Sequence, residues 1–325
     1  MRKVIIFALI SFIIFFVGGC IGLIPRKSKE KVETFSGVYY AKKVYTNKGY
    51  IHLNDTFTVY VPITIGSIYP YVGTRINITN VHIKIRNLPY GLTIDTSNSI
   101  FSLNRNQINE LVESRYNEFY ITFRYTNPAE KKTGTVSFDL YTHYSQKDYD
   151  YICFYFTSPL SCPSSLKPNF PITVDIKLKK DDTISNNIRL SPYLDTVDAK
   201  LVIQIKNNFP SVGIPISISS IKIYLPKGQN IKFIQVDSNV CNPDIGIVCD
   251  NTENSITLNA SYVSKFPYQT STNSFIPIYL DVILNVTALK NNPIQIINCF
   301  VNYTYKIPSS YYKNRDISRI FFTLE

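Results

Sequence analysis

Beyond residue 35 the chain alternates apolar and polar residues over short runs separated by turn-forming residues. A period of two puts one side of an extended segment in a core and the other in water. The pattern predicts strands at 37–45, 57–65, 76–85, 119–125 and 136–142. It restarts at 172–178, 199–205, 216–224, 275–284, 294–303 and 317–324. Helical periodicity is confined to Gln107–Glu113. Short strands spaced by turns, with so little helix, imply an all-β chain of antiparallel β-sandwiches. The 25 Tyr and 20 Phe agree, since aromatic rings suit a pleated, half-buried surface. Tyr, Ile, Asn and Lys codons are all rich in A and T, however, so the Tyr count alone does not mark a binding face.

Pro159, Pro163, Pro168 and Pro171, with Ser161, Ser164 and Ser165, interrupt this pattern. Proline cannot serve a central ladder, so the stretch reads as a boundary or stiff linker. The predicted organisation is a signal or anchor at 1–24, a basic tether at 25–35, sandwich one at 36–158, a linker at 159–171 and sandwich two at 172–325. The halves look like copies. The run from Ile76 ends in Leu88-Pro89-Tyr90-Gly91, and the run from Ile216 ends in Leu225-Pro226-Lys227-Gly228. Asn98-Ser-Ile-Phe-Ser-Leu-Asn104 recurs as Asn254-Ser-Ile-Thr-Leu-Asn259, and Leu140-Tyr-Thr-His-Tyr144 as Val301-Asn-Tyr-Thr-Tyr305. This succession resembles immunoglobulin-like modules of the CARDB and S-layer-associated type, which recur in tandem on archaeal surface proteins. The resemblance implies adhesion, scaffolding or display, and assigns no functional residue.

Ahead of the strands lies an uncharged apolar run, Val4–Ile24, preceded by Arg2 and Lys3. Its 21 residues, at about 1.5 Å each, match a hydrocarbon core of roughly 30 Å. Val17-Gly18-Gly19-Cys20 resembles the lipobox of prokaryotic lipoproteins, which would make Cys20 the lipidation site. Val17 stands where Leu is commonest, Gly18 where Ala or Ser is usual, and apolar residues follow Cys20. Lipid attachment, an uncleaved transmembrane helix and simple signal cleavage therefore all fit. Arg26, Lys27, Lys29 and Lys31 after the run would by positive-inside counting keep the C-terminal side in the cytoplasm, but large domains translocate largely regardless of flanking charge. Paired cysteines and glycosylation sequons downstream point to an extracytoplasmic bulk anchored at its N-terminus to membrane lipid.

Cys241 and Cys249 bracket a short loop holding Pro243 and Gly246, and Cys153 and Cys162 bracket a second loop. Neither spacing is CxxC and no histidine is near, so two local disulfides are expected rather than zinc. They require an oxidising compartment. Cys299 is left over as a buried strand residue. The net charge of +11 falls to +9 without Arg2 and Lys3, and the charges are scattered singly, which does not describe a nucleic-acid groove. His52, His82 and His143 each stand alone on expected strands, and Asp148 and Asp150 fall in an expected Tyr-rich loop. No nucleophile, metal or phosphate-loop motif occurs, so no catalytic residue, metal or cofactor is nominated. Candidate N-glycosylation sites are Asn54, Asn77, Asn259, Asn285 and Asn302. The expected function is a membrane-anchored structural or adhesive binding protein of the envelope, with an envelope protein or surface glycan as partner. A substrate-binding lipoprotein for glycans or peptides is the alternative, and catalysis is not expected.

Overall fold

Alternation becomes burial directly. In the run Thr56–Ile65, Phe57, Val59, Val61, Ile63 and Ile65 are buried, whereas the intervening positions, apart from Pro62, reach solvent. A computed structural model describes residues 35–127, 133–228, 230–234, 241–309 and 318–324. The expected leader at 4–24, its Cys20 and the tether through residue 34 lie outside them. Strand accounts for 56% of the structure and helix for 11%. Among the described residues no helix is long and apolar enough to cross a membrane.

The first half contains β1 (Val38–Tyr40), β2 (Tyr45–Thr46), β3 (Tyr50–Ile51), β4 (Thr56–Ile65), β5 (Ile76–Asn87), β6 (Leu92–Asp95), β7 (Tyr116–Tyr125) and β8 (Thr133–Tyr155). A ten-residue helix, Arg105–Ser114, precedes β7; the expected helical turn extends this far because Asn104 and Gln107 form a capping box. The second half opens with β9 (Ile172–Lys180), β10 (Thr183–Ser185), β11 (Asn187–Arg189), β12 (Thr196–Asn207) and β13 (Ile214–Tyr224). Next come β14 (Ile231–Phe233), β15 (Ile247–Asp250), β16 (Ser255–Asn259), β17 (Tyr268–Gln269) and β18 (Ser274–Phe275). β19 (Ile278–Asn285), β20 (Ile294–Ile307) and β21 (Arg319–Leu324) complete it.

Sheet topology repeats as the sequence does. Sheet A runs β1-β4-β7-β6, and within sheet C the path β9-β12-β19-β14 has the same succession. In the first half the segment around Phe101 and Leu103 hydrogen-bonds β5; in the second, β16 lies along β13. Both Leu-Pro-x-Gly turns place their glycine at positive φ, 89° at Gly91 and 98° at Gly228, where a side chain would be strained.

The halves are fused rather than strung. β8 and β20 pair antiparallel over fourteen residues, from Cys153–Ile294 to Leu140–Ile307. β5 flanks β8, and β13 flanks β20, giving one continuous sheet B of nine strands. Superposing Leu140–Tyr144 on Val301–Tyr305 carries the pair Gln146–Val301 onto Ile307–Leu140. The register is thus that of a twofold relation, with the pair His143–Thr304 at its centre. Sheets A and C cover the inner face of sheet B side by side: Tyr40 Oη donates to the Phe138 carbonyl, and Ile176 N–H donates to Asp150. Phe35 joins the halves, stacking on Tyr305 and meeting Phe209 and Tyr39 edge-on. Residues 35–325 accordingly cluster as one compact body.

β8 is far longer than the expected strand at 136–142. Asp148 and Asp150, expected in a solvated loop, lie on it and point inward, 2% and 5% exposed. Asp150 draws its partners from 159–171, the expected boundary or stiff linker, which packs against the body. Lys167 Nζ lies 2.8 Å from Asp150 Oδ2, Ser165 donates to Asp150 at 2.6 Å, and Arg75 meets Asp148 at 3.2 Å. Gln146 links the cluster, donating to Asp148 and to the Ile172 carbonyl and accepting from Tyr303. Together Gln146, Lys167 and Asp150 satisfy Ile172 O, Val174 O and Ile176 N–H, the polar groups on the free edge of β9. Burial raises the Asp148 carboxyl above its ordinary value, outweighing Gln146, Lys167 and Arg75, which act the other way.

Asp150→Ala leaves the Ile176 N–H without its acceptor and takes from Lys167 its nearest carboxylate, leaving it the Val174 carbonyl and the more distant Asp175. It is expected to cost about 2–4 kcal/mol, less than a fully buried pair because Lys167 is 21% exposed. Urea denaturation measures it; a loss under about 0.5 kcal/mol would show that the carboxylate does not hold this edge.

Candidate functional site

The inward phase of sheet B is covered by sheets A and C, so the chemistry offered to a partner lies on the opposite phase. Antiparallel register lines those residues up in rows across the strands. One row holds His82, Tyr141 and Lys306; the next Asn80, His143 and Thr304; then Ser145, Asn302 and Ser220. Lys147, Phe300 and Lys222 follow, and then Tyr149, Asn298 and Tyr224. The rings touch along this face. His82 stacks on Tyr141 at 5.0 Å and sits 5.3 Å from His143, and Tyr224 meets Phe300 edge-on at 5.6 Å. Lysines lie over the rings: Lys84 and Lys306 over Tyr141, Lys147 over Phe300 and Lys222 over Tyr224.

The acids on this face are engaged within the protein. Asp139 takes Lys306 at 2.8 Å and the Ser309 N–H, Glu253 takes Lys222 at 3.1 Å, and Asp250 accepts from Thr252 and Glu253 N–H. Lys84 and Lys147, both exposed, stand over rings instead. Burial lowers the affinity of His82 and His143 for protons, with His143 and Lys84 adding to the effect at His82. Both are therefore neutral near pH 7, and His143 Nδ1 lies 3.0 Å from Thr304 Oγ1.

The histidines were expected to stand singly, and His52 does stand apart, in a turn beside Asp55. His82 and His143 do not; β5 and β8 bring them together, which local sequence could not show. Disulfides link Cys153 to Cys162 and Cys241 to Cys249, and Cys299 is a buried free thiol on the inner face, its proton held by burial. Asp181 sits in the turn between β9 and β10, with φ of 52°. Among the described residues no group of His, Cys, Asp or Glu is arranged to hold a metal. Of the sequons, Asn54, Asn77 and Asn259 are exposed. Asn285 caps the helix Val286–Asn291 through its side chain, and Asn302 donates its amide to Ser220 at 2.8 Å.

No family model matches the sequence, and no curated protein is similar to it. Among solved structures, BspA_C_WT aligns over 81% of this chain and 90% of its own, at 8% identity and a TM-score of 0.18. The Enterococcus faecalis MSCRAMM ACE, described as binding its ligands by the collagen hug model, aligns over 88% and 94%, at 12% identity and 0.14. The collagen adhesin CNA from S. aureus aligns over 84% and 81%, at 11% identity and 0.11. At such TM-scores these likenesses carry no conclusion about this chain; its sandwich fold rests on its own strands.

Two outcomes are expected from this geometry. In a secretory host that glycosylates, peptide mass spectrometry should find glycan on Asn54 and Asn259 and none on Asn285 or Asn302, whose side chains are committed. The second concerns acid. Below pH 6.5 the unfolded chain takes up protons that the folded His82 and His143 resist, so stability falls as pH drops through that region. Replacing both by Gln should flatten this part of the stability–pH curve, and unchanged acid sensitivity would rule the pair out as its source.

Proposed function

We propose that this chain is an adhesive or scaffolding protein of the cell envelope, tethered through its N-terminal apolar run, that binds a partner through the outer face of sheet B. One observation carries the reading. That face is a broad array of rings and lysines drawn from both halves, set on fully paired strands and covered by no other element of the described fold. An open sheet face suits a large partner better than a small substrate, which needs a concave pocket. Two disulfides fit an oxidising compartment. The likeness to CARDB and S-layer-associated modules belongs to this proposal, as do lipid attachment or a membrane helix at the leader.

A photo-crosslinking residue in place of Asn298, on the outer face, and another in place of Lys232, on sheet C, test the proposal in intact cells. The Asn298 position is expected to trap an envelope component and the Lys232 position not to. Equal trapping at both, or none at either, would remove the outer face as the site.

A further inference from the structure

Building on that reading, we propose that the partner on the outer face of sheet B is an acidic polysaccharide, a polymer of pyranose units bearing carboxylates or sulfates. Charge argues first. Asp139, Asp250 and Glu253 are each satisfied internally, while Lys84 and Lys147 stand over rings and form no ion pair among the described residues. A cation over a ring at an exposed site is held weakly, which leaves its charge open to an external anion. Spacing argues next. Lys84 is in register with Asp139 on β8, and Lys147 lies eight residues further along the same strand. At about 3.4 Å per residue their backbone positions are separated by on the order of 27 Å along the sheet. The Lys84 ammonium leans over Tyr141, six residues from Lys147, so the two charges stand on the order of 20 Å apart, still several sugar units. A single sugar cannot touch both; an extended chain can. Between them lie Tyr141, His82 and His143, whose apolar ring surfaces suit the C–H faces of pyranose rings.

Other occupants fit less well. A second copy laid face to face would bring like-charged lysines together. A lipid surface favours apolar side chains standing proud of the sheet, whereas the rings here are half-buried among their neighbours. A neutral glycan leaves Lys84 and Lys147 without an anion.

The test uses the full-length protein in a neutral detergent, titrated calorimetrically with galacturonate monomer, oligogalacturonates of increasing length, neutral dextran and vesicles containing anionic lipid. Binding is expected for the longer oligomers and absent for monomer and dextran. Lys84→Glu/Lys147→Glu should weaken oligomer binding by about tenfold or more. Lys206→Glu/Lys232→Glu, the same charge change on exposed positions of sheet C, should alter it by less than about twofold. Equal losses in the two variants would reduce the effect to net charge and overturn the proposal. So would binding independent of length, binding to vesicles alone, or no binding to any oligomer. If oligomers fail while the Asn298 crosslinker still traps an envelope component, the polysaccharide is wrong and the binding face stands; if both fail, the binding face falls too.

Discussion

The pairing of β8 with β20 is the constraint on which the rest depends. Each half alone would end sheet B in a long strand with open N–H and C=O groups, a hazard for aggregation that folded proteins cover. Joining the two edges over fourteen residues satisfies both at once and leaves neither exposed. It also dictates what stands above and below. One slip of register would carry Phe138, Leu140, Tyr144, Ile152 and Phe154 out of the core and bring the lysine and tyrosine rows in. At roughly 1.5–3 kcal/mol for each large apolar side chain buried, such a slip is excluded.

The price of fusing the halves appears at the edge of β9. There the second sandwich has no strand to cover Ile172, Val174 and Ile176, and three side chains do so instead. Burying Asp148 and Asp150 is costly, and a well-packed apolar replacement is often no less stable. What the charged groups supply is direction. Lys167 and Ser165 reach Asp150, and Arg75, held on Asp148, donates to the Leu166 carbonyl, so 159–171 is tied along β9 at three successive residues. The Cys153–Cys162 bridge fixes the start of the same segment.

Much of this was legible before the structure. Strand positions, the internal repeat, the turn glycines and the two disulfide pairs all follow from local pattern. The length of β8 did not, because its inward phase passes through Gln146, Asp148 and Asp150, and polar residues at inward positions read as a loop. Alternation in fact never breaks from Val136 to Phe154; only the chemistry of the buried phase changes. The packing of 159–171 was hidden for a related reason. Its prolines forbid a ladder, but they do not forbid side chains from capping one. The outer face was beyond reach, since Tyr141 and His143 become neighbours of His82 and Lys306 only through register between strands distant in sequence.

The twofold relation between the halves separates what holds the body together from what makes it particular. On the inner face its equivalents agree at some positions and differ at others, where Phe138 answers to Cys299, Thr142 to Tyr303 and Gln146 to Ile307. Leu140 answers to Val301, and Tyr144 to Tyr305, and each tyrosine hydroxyl ties down a segment of its own half, Tyr144 at Val38 and Tyr305 at Asn207 and Phe209. On the outer face they part. Tyr141 answers to Asn302 and His143 to Thr304, so the stacked rings belong to one half, and the other carries short polar groups in their place. Packing ties each inner position to the volume of its neighbours, because a mismatch there leaves a cavity or a clash, so an inner difference such as Phe138 against Cys299 has to be met by differences around it. No such demand acts on residues that face water. The outer rows are therefore free to differ without any compensating change, and there the stacked rings gather on the first half's strands while the second half keeps short polar groups at the equivalent positions.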